Sequence, residues 1–142
     1  GKPLFESKTT WPSMQEAVNE QKELYFYVVA GLPEQMKRYG RAACKAFGVK
    51  SRFVHLEFCH MKKAKEGVGE EGDYVILEVN MRPAEGYLGD MTNWAHATDV
   101  YQIWADMVTS DRRLLPVSEN DRFCVYAART DIHKYAHTHE EM

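Results

Sequence analysis

Two apolar runs decide the fold, Arg52-Phe53-Val54-His55-Leu56-Glu57-Phe58 and Val75-Ile76-Leu77-Glu78-Val79-Asn80-Met81-Arg82-Pro83. Both have the length of a β-strand and are rich in β-branched and aromatic residues. Between them, residues 62–73 contain seven charged residues and three glycines, a composition typical of an exposed hairpin loop. The sequence therefore predicts an antiparallel hairpin that turns near Gly67-Val68.

The predicted turn determines which residues face one another. Opposed residues have numbers that sum to about 135, so Glu57 is expected opposite Glu78. Because side chains alternate between faces, Glu78, Asn80 and Arg82 are expected on one face. Opposed carboxylates repel each other unless a cation lies between them or one is protonated. Glu and Asn supply oxygen ligands of the kind Mg²⁺ takes, and Arg82 adds a forked donor for phosphate or carboxylate. A solvent-facing polar strand in another register is the open alternative.

The two runs resemble the metal-binding strands of the ATP-grasp superfamily, in particular its carbamoyl-phosphate-synthetase-like carboxylate–amine ligases. The resemblance covers most of residues 1–108 and is carried by His55-Leu56-Glu57-Phe58, Leu77-Glu78-Val79-Asn80-Met81-Arg82-Pro83, Asp90-Met91-Thr92-Asn93 and Asp99-Val100-Tyr101. In that family an acidic residue on the first strand and a Glu-x-Asn on the second hold the Mg²⁺ ions that bridge the ATP phosphates. An Arg two residues beyond the Asn contacts phosphate or the acyl-phosphate intermediate.

The resemblance implies specific roles for four residues. The metal, and through it the ATP, would be bound by Glu57, Glu78 and Asn80. Arg82 would be the catalytic residue and would also contact the ATP. The implied cofactors are ATP and Mg²⁺, and the implied substrates are a small-molecule carboxylate and an amine or other nucleophile. The family more often has Pro-Gly-Gly after the Arg-Pro, whereas this chain has Ala84-Glu85-Gly86, a departure that concerns the substrate loop.

The beginning of the chain predicts a missing part. Gly1-Lys2-Pro3 is followed by a short predicted strand at residues 4–7, and no glycine-rich phosphate loop precedes the hairpin. In ATP-grasp enzymes the earlier half of the fold carries the lysines and backbone groups that hold adenine and phosphates. We therefore expect this chain to be the C-terminal part of a longer enzyme, inactive without its N-terminal part.

Composition is typical of a globular domain. A chain of 142 residues, 44% hydrophobic and 27% charged, can bury one core and has no segment near the length of a membrane span. The net charge of −3 and the isoelectric point near 6.1 argue against a nucleic-acid partner. Three unpatterned cysteines indicate a reduced, cytoplasmic setting.

Local signals predict helices and a further strand around the hairpin. A capping box, Ser13 with Glu16, predicts a short helix that ends near Gln21. Pro33 and Gly48 bound a second predicted helix. Further predicted elements are a buried strand at residues 24–29, a helix at residues 99–110, a linker at residues 111–120 and a strand at residues 122–128.

Several groups of residues have both a structural and a functional interpretation. Core packing is favoured over an adenine pocket for Tyr25, Phe26 and Tyr27. A solvated helix face is favoured over phosphate attraction for Lys37, Arg38, Arg41 and Lys45. Helix capping and substrate contact are the two interpretations of Asp90 and Asn93. Solvent exposure is favoured over a transition-metal site for His133, His137 and His139.

Together these elements predict an α+β fold, a largely antiparallel sheet flanked by helices that forms the C-terminal half of an ATP-grasp fold. Residues 1–110 are assigned to the C-terminal subdomain of that module and residues 121–142 to a strand and tail beyond the linker. The expected function is a ligase that forms an acyl phosphate from a carboxylate and passes it to a nucleophile. Two other classes stay open: a metal-free hydrolase that uses Glu57 and Glu78 as an acid–base pair, and a non-catalytic binding or assembly domain.

Overall fold

The computed structural model describes residues 2–29, 31–118 and 122–142. Its elements in chain order are β1 (Lys8–Thr10), α1 (Met14–Asn19), β2 (Tyr25–Val29), α2 (Glu34–Ala46), β3 (His55–His60), β4 (Tyr74–Asn80), α3 (Leu88–His96), α4 (Val100–Ser110) and β5 (Cys124–Ala127). The strands form two antiparallel sheets, one in the order β1-β2-β5 and one made of β3 and β4. The predicted α+β class is confirmed, although the strands are divided between two small sheets.

The main core lies between the three-stranded sheet and α3. Val28 on β2 is fully buried against Met91 on α3, which is 2% exposed. Because side chains alternate along β2, Phe26 joins this core while Tyr25 and Tyr27 point to the opposite face. There the two tyrosine rings stack with their centroids 6.5 Å apart. The predicted strand is therefore buried on one face only.

Helix α3 contains the two residues that the sequence assigns either to helix capping or to substrate contact. Asp90 and Asn93 both lie inside it. The Asn93 Oδ1 atom accepts a hydrogen bond of 2.8 Å from the backbone amide of Val100, at the start of α4. Asp99 is the N-cap of α4, and its side chain accepts hydrogen bonds from the amides of Tyr101 and Gln102. Of the two roles considered for Asn93, capping of the next helix and substrate contact, the structure shows the capping contact.

The capping signals in the sequence are largely confirmed, although the capping box of the first helix forms only in part. The Ser13 hydroxyl accepts a hydrogen bond of 3.3 Å from the amide of Glu16, which confirms it as the N-cap of α1. The Glu16 carboxylate binds Lys62 at 2.8 Å instead of the Ser13 amide, so only half of the capping box forms. Gly48 lies just beyond α2 with φ of +62°, the left-handed conformation for which glycine is suited.

The ends of the chain differ more from prediction. The first strand comprises residues 8–10 and not residues 4–7. Most of the predicted linker is attached to α4, because the Asp106 carboxylate accepts hydrogen bonds from the amides of Leu114 and Leu115 at 2.9 and 3.2 Å. The remaining predictions at residues 1 and 119–121 lie outside the described residues.

Helix α2 supports the hairpin of β3 and β4 from one side. A Cβ atom built on Gly40 would lie 3.0 Å from Leu56 Cδ1 and 3.8 Å from Phe58 Cζ, so the backbone of α2 closely approaches β3. The Gln35 side chain donates to Asp73 at 2.8 Å and accepts from the amide of Tyr74 at 3.0 Å. These contacts attach α2 to the start of β4.

Candidate functional site

The hairpin brings the predicted site residues of β3 and β4 together. Glu57 pairs with Glu78, and His55 pairs with Asn80. Directly opposed residues share a face and have Cβ atoms about 4.5–5.5 Å apart. The predicted opposition of Glu57 and Glu78 is therefore confirmed. We call the surface formed by these four residues the carboxylate face.

The register contains one irregularity next to this site. Beyond Glu57 the pairing continues as Phe58 with Ile76, which leaves Leu77 as an extra residue on β4. Such a bulge locally interrupts the ladder and bends the strand. The Leu77 side chain is 67% exposed.

Alternation along β3 separates the carboxylate face from α2. Leu56 and Phe58 contact α2, so Glu57, which lies between them in sequence, points to the other side of the hairpin. Glu57 is half-buried and Glu78 is exposed. Within the described residues neither carboxylate forms a hydrogen bond or an ion pair. The two negative charges repel each other, and a cation bound between them would relieve this repulsion.

The second pair of the carboxylate face has unsatisfied polar atoms. His55 Nδ1 and Asn80 Nδ2 are buried without a hydrogen-bond partner. Buried polar atoms in proteins are almost always hydrogen-bonded, so leaving these two atoms without partners is energetically unfavourable. A half-turn of the Asn80 amide exchanges its nitrogen and oxygen, which lets the same side chain present an oxygen ligand.

Arg82 does not continue the carboxylate face. Strand β4 ends at Asn80, and the Arg82 guanidinium lies 3.1 Å from the Glu85 carboxylate and 3.2 Å from the carbonyl oxygen of Pro83. The sequence interpretation extends the strand to Pro83 and places Arg82 beside Asn80. Glu85 is the residue that this interpretation missed, and it belongs to the segment that departs from the family pattern. The only sequence signal for the contact is an opposite charge three residues away.

The donor set of the carboxylate face is small but chemically consistent with magnesium. Glu57, Glu78 and Asn80 offer two carboxylates and one amide oxygen. The described residues contain no group of three or more His, Cys, Asp and Glu side chains that could hold a metal ion. Mg²⁺ is commonly bound by one or two carboxylates and completes its coordination with water and substrate phosphates. Glu57, Glu78 and Asn80 therefore match the donor chemistry of such an ion, although they supply only part of its coordination.

Two of the three tail histidines, His133 and His137, have separate contacts. His133 Nε2 lies 2.9 Å from the carbonyl oxygen of Gln21 and 3.7 Å from the Glu23 carboxylate. His137 Nδ1 lies 3.9 Å from the Glu141 carboxylate. The contacts of His133 attach the tail to the segment before β2 and give this histidine a structural role.

No family model, curated protein or solved structure matches this chain. Among the helices of residues 2–29, 31–118 and 122–142, none has both the length and the apolar composition required to cross a membrane.

Proposed function

We propose that this chain supplies the metal-binding part of an ATP-grasp ligase of the carboxylate–amine type. The whole enzyme would use ATP and Mg²⁺ to form an acyl phosphate from a carboxylate and pass it to an amine or other nucleophile. The observation that supports this proposal is the opposition of Glu57 and Glu78, with Asn80 on the same face and no cationic partner within the described residues. The resemblance of these strands to the ATP-grasp metal strands supports it independently.

Each residue of the carboxylate face has a distinct task in this proposal. Glu57 and Glu78 hold the metal from two strands, and Asn80 adds a neutral oxygen that does not increase their repulsion. The bound Mg²⁺ would neutralise charge on the phosphates of the nucleotide. His55 lies opposite Asn80 and forms the edge of the site on β3.

Arg82 can assist only after a local change. Its ion pair with Glu85 is solvent-exposed, and such pairs contribute about 1 kcal/mol or less. A phosphate or carboxylate on the substrate can therefore displace Glu85 and take over the guanidinium. In the proposed enzyme Glu85 keeps Arg82 paired until substrate binds.

A metal-free hydrolase is the second candidate, because the two carboxylates have different surroundings. Glu57 is half-buried and Glu78 is exposed, and such a difference can assign the acid and base roles to two carboxyl groups. In such an enzyme Asn80 has no required role, and divalent cations compete with the reaction rather than support it.

The experiment that separates these candidates is a titration of the chain with Mn²⁺, used as a paramagnetic substitute for Mg²⁺, followed by water-proton relaxation. We expect one saturable site that Mg²⁺ displaces. Glu57→Gln and Glu78→Gln should each weaken binding about tenfold or more, since each removes one of two charged ligands. Glu70→Gln makes the same change in the exposed hairpin loop and should leave binding unchanged. Equal Mn²⁺ affinity in Glu78→Gln and Glu70→Gln would rule out the metal site.

A further inference from the structure

A second concave surface lies beside α2, on the side of the hairpin away from the carboxylate face. It is a cleft with a volume of about 470 Å³, which we call the basic cleft. Its walls are the segment before β1, the end of β2, the first half of α2 and the segments that follow α3 and α4. Five parts of the chain that are distant in sequence therefore meet around one cavity.

The lining of the basic cleft is strongly cationic. Its positively charged residues are Lys2, Lys8, Lys37, Arg41 and Arg113. Glu6 is the one carboxylate among the described lining residues, which leaves a net charge of +4 in a chain whose net charge is −3. A concave surface lined by one sign of charge concentrates the field and attracts ions of the opposite sign.

Two of the five cations, Lys37 and Arg41, are paired with carboxylates of the chain. Glu6 forms a two-pronged ion pair with Arg41, with N–O distances of 2.9 and 2.5 Å. Lys37 contacts Glu34 at 2.6 Å, but the Glu34 side chain is 86% exposed and water screens the pair. Within the described residues Lys8 forms no ion pair, and its ammonium group lies 6.0 Å from the centre of the Tyr74 ring.

Arg113 is held in place by neutral groups. Its guanidinium donates to the carbonyl oxygens of Leu115 and Pro116, both at 2.8 Å, and to the Thr98 hydroxyl at 3.2 Å. It also lies 5.9 Å from the centre of the Phe5 ring. None of these acceptors is a carboxylate. The Asp106 carboxylate interacts electrostatically with Arg113 but accepts its own hydrogen bonds from Gln102 and two backbone amides, so part of the Arg113 charge stays available. A cation that is already positioned loses little conformational entropy when it binds an anion.

We propose that the basic cleft binds a small organic anion with at least two negative charges, carried by phosphate or carboxylate groups. Arg113 provides a fixed anchor, and Lys8 and Lys37 provide mobile cations. Glu6 competes with the ligand for Arg41 and so limits its affinity. Apolar residues of the cleft, Val29 and Leu32 among them, contact the carbon skeleton. This site is separate from the carboxylate face and does not depend on the ligase proposal.

The test is a pair of NMR titrations of the ¹⁵N-labelled chain, one with inorganic phosphate and one with succinate. We expect saturable shifts at the amides of Lys37 and Thr98 and none at Glu57. Saturation by phosphate alone assigns a phosphate-bearing ligand, and saturation by succinate alone assigns a dicarboxylate. Binding of both assigns an anion site of either chemistry.

Matched variants identify the residues that bind the anion. Lys37→Met should weaken binding about fivefold to tenfold, because it removes one charge-assisted contact. Lys63→Met removes the same charge from the exposed hairpin loop and should leave the affinity unchanged. Glu6→Gln should tighten binding at least threefold, because it releases Arg41. The proposal is overturned if neither probe saturates, if Lys37→Met and Lys63→Met bind alike, or if Glu6→Gln binds no more tightly than the wild type.

Discussion

Replacing Glu78 with glutamine removes one charge of the opposed pair and keeps the size of the side chain. Glu78 is exposed and Glu57 half-buried, so the dielectric between them is close to that of water. Two unit charges about 5 Å apart then repel each other by about 0.8 kcal/mol. We therefore expect Glu78→Gln to stabilise the metal-free chain by about 0.5–1 kcal/mol.

Urea denaturation at low ionic strength measures this change. With an m-value of about 2 kcal/mol per molar urea, the midpoint should rise by about 0.25–0.5 M. In 1 M NaCl, where the Debye length is about 3 Å, most of the increase should disappear. In 10 mM Mg²⁺ the order should reverse, because a site with a dissociation constant of about 1 mM stabilises the wild type by about 1.4 kcal/mol and the variant much less.

The control is Glu70→Gln, which removes a charge from the exposed hairpin loop. Its midpoint should stay within about 0.1 M of the wild type under all three conditions. If Glu78→Gln lowered the midpoint at low salt, the two carboxylates would not repel each other in the folded chain. If Mg²⁺ stabilised both variants equally, Glu78 would not bind it.

Three further predictions concern stability. Gly40→Leu should lower the free energy of unfolding by about 1–3 kcal/mol in urea, since Leu56 lies 3.0 Å from the first added carbon and the further carbons would have to displace it. Gly40→Ala adds only that first carbon and should be nearly neutral, because the better helix propensity of alanine offsets the close contact. Gly48→Ala should destabilise the chain by about 1 kcal/mol in the same assay, because φ of +62° is unfavourable for alanine. Hydrogen bonds from Gln102 and two backbone amides lower the pKa of Asp106, so its stabilisation is complete above its ordinary pKa and is lost as the pH falls through the lowered value. The melting temperature of the wild type should therefore fall more steeply below about pH 4 than that of Asp106→Asn, and equal slopes would contradict this assignment.

The hairpin and its opposed carboxylates could be predicted because their signals are local. Charged residues and glycines mark the loop, apolar runs mark the strands, and alternation relates Glu78 to Asn80. The same is true of the caps at Ser13 and Gly48, where a side chain or a backbone conformation acts within a few residues.

Helix α3 could not be predicted in this way because tertiary packing stabilises it. Gly89, Asp90, Thr92 and Asn93 all have low helix propensity. The helix forms because Met91 and Ala95, which lie on one face of it, are buried against the three-stranded sheet. Propensity is a weak signal where burial determines the conformation.

The basic cleft was missed for a different reason. Its cations come from three separate parts of the chain, namely residues 2–8, α2 and the segment after α4, so no single spacing in the sequence connects them all. Lys37 and Arg41 belong to the helix face that the sequence analysis assigns to solvent, and only the fold brings Arg113 near them. The position of Arg82 likewise depends on where β4 ends and on the contact with Glu85.

The bulge at Leu77 makes the carboxylate face depend on the number of residues in β4 as well as on their identity. If the pairing of Phe58 with Ile76 continued without the bulge, Glu78 would lie opposite Leu56 and point toward α2. Deleting Leu77 would keep the two glutamates opposed if the outer half of the hairpin kept its pairing, since the shortened strand would then bring Glu78 opposite Glu57 through an uninterrupted ladder. Inserting a second residue there, with the bulge retained, would instead place Glu78 opposite Leu56 and turn it toward the helix. Whether the two carboxylates face one ion thus depends on the number of residues between Ile76 and Glu78 and on whether the bulge absorbs one of them.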